Sequence, residues 1–236
     1  EAQVPSFIAD PITVDEMPDI ARVSGIPQIE REALQHTLNL RYTSIKMAEE
    51  MGKDLIDLRF IGVHMGGGIS IIPVAKRRIL DVNNALLGMG PFSPQRAGAL
   101  PIGDLIDLCF SKRFTKKELK TYLAKRAGWI AYLGTDNCQE VENRIIRGDK
   151  RAKLIHNAMC YQIAKEIGAA ATVLKGDVDV IFLTGGLAHG KHVVQEISDR
   201  VKFIAPIRVY PGEYEMEALA QAGIRILKNE EEAIEY

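Results

Sequence analysis

The chain has 236 residues, of which 47% are hydrophobic and 26% are charged, and its formal net charge is −1. These values are typical of a globular protein with room for a sizeable core. The balanced charge gives no electrostatic reason to expect nucleic acid or an anionic membrane as a partner. No apolar run approaches a membrane span, and the three widely spaced cysteines lack a Cys-x-x-Cys pattern. We therefore expect a cytoplasmic protein with reduced thiols.

The first elements along the chain are a helix and three strands. The chain begins at Glu1, and the apolar residues before Pro11 suggest an element already under way, so we expect a piece of a longer protein. Pro27 suits the first turn of a helix, and apolar residues keep helical spacing over residues 29–51, before Gly52. Strands are predicted over residues 58–64, 68–75 and 78–82. The short connections between them predict an antiparallel meander.

Helices dominate the second half of the chain. Thr115 and Glu118 form a capping-box pattern, and Asp136 is a candidate cap for the helix that follows. Apolar residues recur every four positions over residues 155–171, which predicts a long amphipathic helix. The remaining prediction is strand 179–184, helix 193–200, strand 204–210 and helix 215–227. Strands that first form a meander and then alternate with helices predict an α/β fold, with a mixed sheet flanked by helices.

Two glycine clusters follow apolar strands more than a hundred residues apart. The first is Gly66-Gly67-Gly68 and the second is Gly185-Gly186. Consecutive glycines remove side chains where a partner must approach the backbone, and exposed N–H groups in such bends bind phosphate oxygens. The spacings fit neither a Walker loop nor a dinucleotide-binding fingerprint. We therefore expect a nucleotide held between two separate turns, although the first cluster could also be a simple hairpin turn.

Four further residues could take part in chemistry, and each also has an ordinary structural explanation. His64 precedes the first glycine cluster and could contact phosphate or cap a buried strand. Arg96 could balance charge on a migrating phosphoryl group or simply be solvated. His36 has the pattern of a core histidine. Asp10 could be a Mg²⁺ carboxylate or a turn former before Pro11.

Taken together, several passages resemble the acetate kinase family, and in particular its butyrate kinase branch, within the actin-like ATPase superfamily. They run in order along nearly the whole chain: Phe7–Pro11, His64–Ser70, Asp81–Leu86, Gly90–Gly98, Ala131–Thr135, Tyr161–Lys165 and Leu183–His189. Acetate kinases carry Asn at the position of Gly67, and the all-glycine turn is what favours the butyrate branch.

The resemblance implies a role for individual residues. His64, Gly66, Gly67 and Gly68 would form a phosphate-binding hairpin, Gly185 and Gly186 would lie against the adenosine, and Asp136 would approach the ribose or base. Arg96 would be the transition-state arginine, His36 a histidine that contacts the phosphoryl group, and Asp10 an aspartate near the metal. Glu215 would be a second residue linked to the metal.

The resemblance also implies an actin-like ATPase (ribonuclease H-like) fold in three parts. Residues 1–12 would end an N-terminal domain and form the hinge, 13–217 would be the nucleotide-binding domain, and 218–236 a helix returning to the first domain. The implied activity is transfer of phosphate from ATP to butyrate or a similar small carboxylate, with Mg²⁺, in a dimer or larger homo-oligomer. The alternatives are an acetate or propionate kinase, a sugar or polyol kinase, and a non-catalytic nucleotide-binding fragment.

Overall fold

The protein folds around a five-stranded mixed sheet, which a computed structural model describes for residues 6–232. The strands are ordered β3-β2-β1-β4-β5, with β1 antiparallel to β2 and parallel to β4. The β2–β3 pair is antiparallel, and the β4–β5 pair is parallel. Their bounds are β1 Arg59–Met65, β2 Ile69–Ala75, β3 Arg78–Ile79, β4 Val180–Gly185 and β5 Ile207–Pro211.

Helices cover both faces of this sheet. They are α1 Asp19–Arg22, α2 Thr37–Met51, α3 Ile102–Phe110, α4 Lys116–Lys125, α5 Gly128–Leu133, α6 Cys138–Ile146, α7 Lys150–Val173, α8 Lys191–Val201 and α9 Glu215–Leu227. Short 3₁₀ helices span Leu55–Asp57 and Gly186–His189. Within residues 6–232, no helix is both long and apolar enough to cross a membrane.

Strand β1 supplies side chains to two separate apolar cores. Ile61, Val63 and Met65 belong to the core on the face covered by α7. Phe60 belongs to the core on the face covered by α2. Because side chains alternate along a strand, His64 faces α2 as Phe60 does. This alternation brings a polar residue of β1 to the N-terminal end of α2.

The structure confirms most of the elements expected from the sequence. The meander is present, and Lys76 and Arg77 form its second turn with φ values of 51° and 62°. Gly52 ends α2 in the left-handed region. Thr115 and Glu118 make both hydrogen bonds of the capping box. The final helix has the expected bounds, residues 215–227.

The structure corrects four details of these expectations. Helix α2 begins at Thr37, and neither Pro27 nor residues 29–36 are helical. The backbone of this segment bonds to distant residues instead, since the Gln35 N–H donates to the Ile12 carbonyl and the Ala85 N–H donates to the Leu34 carbonyl. Strand β3 ends at Ile79, and β5 starts only after Pro206. The cap of α6 is Asn137, whose side chain accepts from the Glu140 N–H, and Asp136 is free to face elsewhere.

Candidate active site

Both glycine turns lie at the same edge of the sheet. Strands β1 and β4 are parallel neighbours, with His64 opposite Thr184, so the turns that follow them are adjacent. Gly185 has a φ of +88°, and a Cβ atom there would collide with the backbone of Met65. Glycine is needed here for two reasons: it has no Cβ atom to collide with Met65, and it readily adopts a positive φ. Gly185 therefore joins the two strand ends, while Gly186 has open space around it.

The first glycine turn is crowded by side chains and not by strand backbone. Gly66, Gly67 and Gly68 do not have positive φ values. A side chain on Gly68 would collide with the guanidinium of Arg96, and a Cβ on Gly67 would lie 3.1 Å from Oε1 of Gln95. A Cβ on Gly66 would lie 3.2 Å from Oε1 of Glu213. A side chain at any of these three positions would have to displace a polar side chain that packs against the turn.

A cleft of about 390 Å³ opens between the two turns. Gly66 and Gly67 line one side, Gly186 and Leu187 line the other, and Asp136 stands at the start of α6. The amide nitrogen of Gln95 donates to Asp136 at 2.9 Å across this opening. The volume falls within the range of small-molecule sites. The turns thus face each other across an open cleft, as the nucleotide hypothesis requires.

The loop before α3 holds Arg96 against the first turn. The Ser93 hydroxyl donates to the Gly67 carbonyl at 2.6 Å and accepts from the backbone N–H of Arg96 at 3.0 Å. Nη1 of Arg96 donates to the Ala85 carbonyl at 2.5 Å. Burial lowers the pKa of Arg96, but an arginine stays charged in proteins. A fixed positive charge therefore lies directly beside the glycine turn.

Two histidines stack next to this charge. The rings of His36 and His64 are 4.0 Å apart and tilted by 14°. Nδ1 of His36 lies 2.9 Å from the Ser70 hydroxyl. Burial and the nearby Arg96 lower the pKa of His36 to about 4. Burial, then His36 and Arg96, lowers the pKa of His64 well below its usual range. Both rings are consequently neutral at pH 7.

Asp10 lies apart from these residues. Its carboxylate pairs with Arg41 at 2.8 Å, and it lines a second cleft together with Phe60 and Val74. Phe60 is at the start of β1, and the glycine turn follows the end of that strand, so about 20 Å of strand separates them. Burial raises the pKa of Asp10. In this structure Asp10 does not contribute to the glycine-turn cleft.

Glu215 also lies outside the cleft, on the exposed first turn of α9. Two residues earlier, Glu213 does line the cleft and is the carboxylate nearest to Gly66. Within residues 6–232, no three His, Cys, Asp or Glu side chains are grouped as a metal cluster. Mg²⁺ commonly takes one or two protein carboxylates and otherwise phosphate oxygens and water. The single carboxylate of Glu213 at the cleft is compatible with such an ion, whereas Asp10 is paired with Arg41 in this structure.

Sequence reasoning missed five polar residues of the site: Asn39, Ser70, Ser93, Gln95 and Glu213. Asn39 follows His36 by three residues, which is one turn of α2, and this spacing was the available signal. Ser70 faces His64 across the β1–β2 hairpin, which the strand register would have shown.

The sheet order and the flanking helices are those of an actin-like ATPase domain, and solved structures show the same fold. Acetate kinase of Porphyromonas gingivalis superposes with a TM-score of 0.78 at 23% identity, over 89% of this chain and 61% of that chain. A propionate kinase of Francisella tularensis superposes with a TM-score of 0.75 at 18% identity, over 86% of this chain and 59% of that chain.

Sequence similarity defines the family more closely. The model of the acetokinase family matches residues 29–227, and the chain belongs to this family. It is 47% identical to butyrate kinase 1 of Clostridium acetobutylicum over 236 residues, which is 100% of this chain and 66% of that protein. It is 49% identical to butyrate kinase 2 of the same organism over 233 residues, or 99% of this chain and 65% of that protein. The chain thus spans just under two thirds of the length of these relatives.

Proposed function

We propose that the protein transfers the γ-phosphoryl group of ATP to butyrate or a related short- or branched-chain carboxylate, reversibly, giving an acyl phosphate and ADP. The observation that carries this proposal is the pair of glycine turns that face each other across one cleft, with Arg96, His36 and His64 beside the first turn. The similarity to two butyrate kinases favours butyrate over acetate as the acceptor.

The nucleotide would lie along the cleft. The backbone N–H of Gly67 would receive a phosphate oxygen, as side-chain-free bends commonly do. The N–H of Gly66 instead donates to the Gly68 carbonyl at 2.9 Å and closes the turn. Gly186 has open space where a ligand can contact the backbone, which suits the adenosine. Asp136 would accept from the ribose or base after giving up its bond to Gln95.

The chemistry requires charge compensation more than proton transfer. A carboxylic acid is already ionised at neutral pH, so it can attack phosphorus without a general base. Its difficulty is that one anion must approach another, which calls for cations and hydrogen-bond donors placed in advance. Arg96 supplies the fixed charge, and neutral His36 and His64 can supply N–H donors. Mg²⁺, held mainly by phosphate oxygens, would add positive charge when bound.

Several finer assignments are also part of the proposal. Asp10 and Glu215 remain predictions as metal-linked residues, and Asp10 would need a different position from the one seen here. The three-part division at residues 1–12, 13–217 and 218–236, the homo-oligomer and the cytoplasmic location are likewise predictions. Light scattering on the purified protein would measure the oligomer.

A coupled assay for ADP release tests the proposed activity on the natural full-length protein. With ATP, we expect turnover with butyrate that exceeds turnover with acetate, and none with glycerol. Turnover that depends on glycerol would identify a polyol kinase instead. Calorimetry with ADP on the 236-residue chain tests the remaining alternative, a non-catalytic nucleotide-binding module. Binding of ADP together with no turnover on any acid would indicate such a module.

A further inference from the structure

We propose that Asn39 is a positioning residue that holds His64 neutral, with its single ring proton on Nε2, so that this N–H faces the glycine turn. The inference deepens the proposed function, on which it rests only for the identity of the acceptor, an oxygen of the nucleotide phosphates. The tautomer itself follows from contacts within the chain and can be measured without any activity.

The orientation of the Asn39 amide is set by its neighbours. Its Oδ1 accepts from the Tyr214 backbone N–H at 3.5 Å and from the Thr43 hydroxyl at 3.3 Å. A backbone N–H can only donate, so the oxygen of the amide must be on that side. The Nδ2 group therefore faces the other way, where it lies 2.8 Å from Nδ1 of His64 and 3.3 Å from the Thr184 hydroxyl.

This orientation decides which nitrogen of His64 carries the proton. An amide nitrogen has hydrogens and no acceptor site, so Nδ1 of His64 must accept the bond. In a neutral imidazole, the other nitrogen is then the donor. Both Asn39 and His64 are 2% exposed, so water has little opportunity to replace this hydrogen bond. The remaining ring proton is on Nε2.

The charges around the ring keep it neutral. The residue before α2 contributes the ring of His36, and the loop before α3 contributes Arg96. Both oppose protonation of His64. The neighbouring strands β2 and β4 contribute only hydroxyls, Ser70 and Thr184, opposite His64. Glu213 is the carboxylate that approaches Gly66 from the cleft side. Burial and these two basic neighbours disfavour the charged form of His64, and the one nearby carboxylate, Glu213, is exposed to solvent.

The free N–H of His64 is directed to the phosphate-binding turn. Nε2 lies 3.4 Å from the place where a Cβ on Gly66 would be, and no hydrogen bond joins it to a residue in the described range 6–232. Gly66 lines the cleft. Because the ring is neutral, this donor does not change charge near pH 7, unlike an ordinary surface histidine. The N–H of Nε2 can therefore donate the same hydrogen bond to an oxyanion at any pH near 7.

Nuclear magnetic resonance of the ¹⁵N-histidine-labelled 236-residue chain tests the tautomer. The chain has five histidines, and the signals of His64 are assigned by their loss in His64→Gln. We expect the neutral form with the proton on Nε2, unchanged between pH 8 and 5.5. A proton on Nδ1, or titration near the ordinary histidine pKa of about 6.5, would overturn the inference.

Asn39→Asp supplies the matched change, because a carboxylate at this position can only accept a hydrogen bond. We expect the proton to appear on Nδ1 of His64 and the pKa of His64 to rise in this variant. A spectrum of His64 identical to that of the wild type would show that Asn39 does not set the tautomer. The wild-type spectrum decides the tautomer even if this variant fails to fold.

Two substitutions of His64 test the functional part in the full-length protein. The amide nitrogen of Gln can take the place of Nε2, whereas that of Asn can take the place of Nδ1. We expect kcat/KM for ATP to be at least tenfold higher in His64→Gln than in His64→Asn. Equal values, or a higher value for Asn, would reject the role of Nε2. If no acid is phosphorylated by the wild type, the proposed function fails while the spectra still decide the tautomer.

Discussion

At the scale of single residues, Arg96 is already in place before any ligand arrives. Its backbone is fixed by Ser93, its guanidinium packs on Gly68, and Nη1 donates to the Ala85 carbonyl. Nε is buried without a hydrogen-bond partner among the described residues. Since the side chain is held on several sides, little reorganisation is needed when negative charge develops nearby.

Replacement of Arg96 measures this contribution. We expect Arg96→Ala to lower kcat for butyrate phosphorylation by more than tenfold in the full-length protein, since a charged donor at the transition state is lost. Arg96→Lys is the control, because it keeps the charge but loses the planar fork, and we expect an intermediate value. A loss of less than tenfold in Arg96→Ala, in a folded variant, would rule out the transition-state role.

At the scale of elements, the two neighbouring glycines at the end of β4 have different roles. Gly185 has a positive φ and meets the backbone of Met65, and it exchanges two backbone hydrogen bonds with Gly212. Gly186 has no atom within 4 Å of a hypothetical Cβ and lines the cleft. The first glycine serves the structure of the sheet edge, and the second serves the proposed ligand.

These different roles predict that alanine at Gly185 lowers stability, whereas alanine at Gly186 weakens ligand binding. Gly185→Ala should lower the free energy of unfolding by about 2 kcal/mol or more, from backbone strain and the close contact. Gly186→Ala should change it by less than about 0.5 kcal/mol but weaken ADP binding, because the methyl group enters the cleft. Denaturant unfolding and calorimetry measure the two quantities. Similar destabilisation by both variants would contradict the division.

Much of the fold could be predicted from local patterns, whereas much of the site could not. The apolar runs of β1 and β2 reflect strands that are buried on both faces, and the four-residue repeat of α7 reflects a helix with one buried face. The segment before Thr37 keeps a helical pattern but is not helical, because its backbone bonds to residues distant in the chain. Local periodicity carries no information about such long-range bonds.

The candidate site illustrates the same limit. The glycine turns could be located because strand ends followed by glycines are a local signal. The stacking of His36 on His64 depends on the packing of α2 against β1, which no spacing in the sequence encodes. Roles for these residues were predicted from resemblance to a family, and the pairing of Asp10 with Arg41 could not be predicted from the sequence. Glu213 was missed because it is exposed in a loop with no periodic pattern.

At the scale of the whole molecule, the buried histidines connect folding to pH. Because the pKa of His36 is about 4 in the folded protein and about 6.5 when unfolded, the unfolded chain binds more protons between these values. The contribution of neutral His36 to the free energy of unfolding is therefore complete above pH 6.5. It is lost as the pH is lowered towards 4. The contribution of His36 is about 3 kcal/mol over this interval.

Urea unfolding at several pH values tests this dependence. We expect the free energy of unfolding to decrease from pH 7 to pH 4.5, and to decrease less steeply in His36→Gln. The carboxylates with lowered pKa values, such as Asp15 and Asp149, lose their stabilising charge only below about pH 4. Burial raises the pKa values of Asp10 and Glu166, and these carboxyls change stability in the opposite sense as the pH falls. The difference in slope between the wild type and His36→Gln therefore isolates the contribution of His36. Equal slopes for the wild type and His36→Gln would show that this side chain is not the cause.

The parallel pairing of β1 with β4 has a consequence for how the protein is made. The hairpin of β1 and β2 leaves the ribosome more than a hundred residues before β4, which corresponds to roughly 10 s of translation. During that time the unpaired side of β1 is an exposed strand edge of apolar residues, the kind of surface that pairs with wrong partners. The arrival of β4 both covers this vulnerable edge and brings the second turn beside the first.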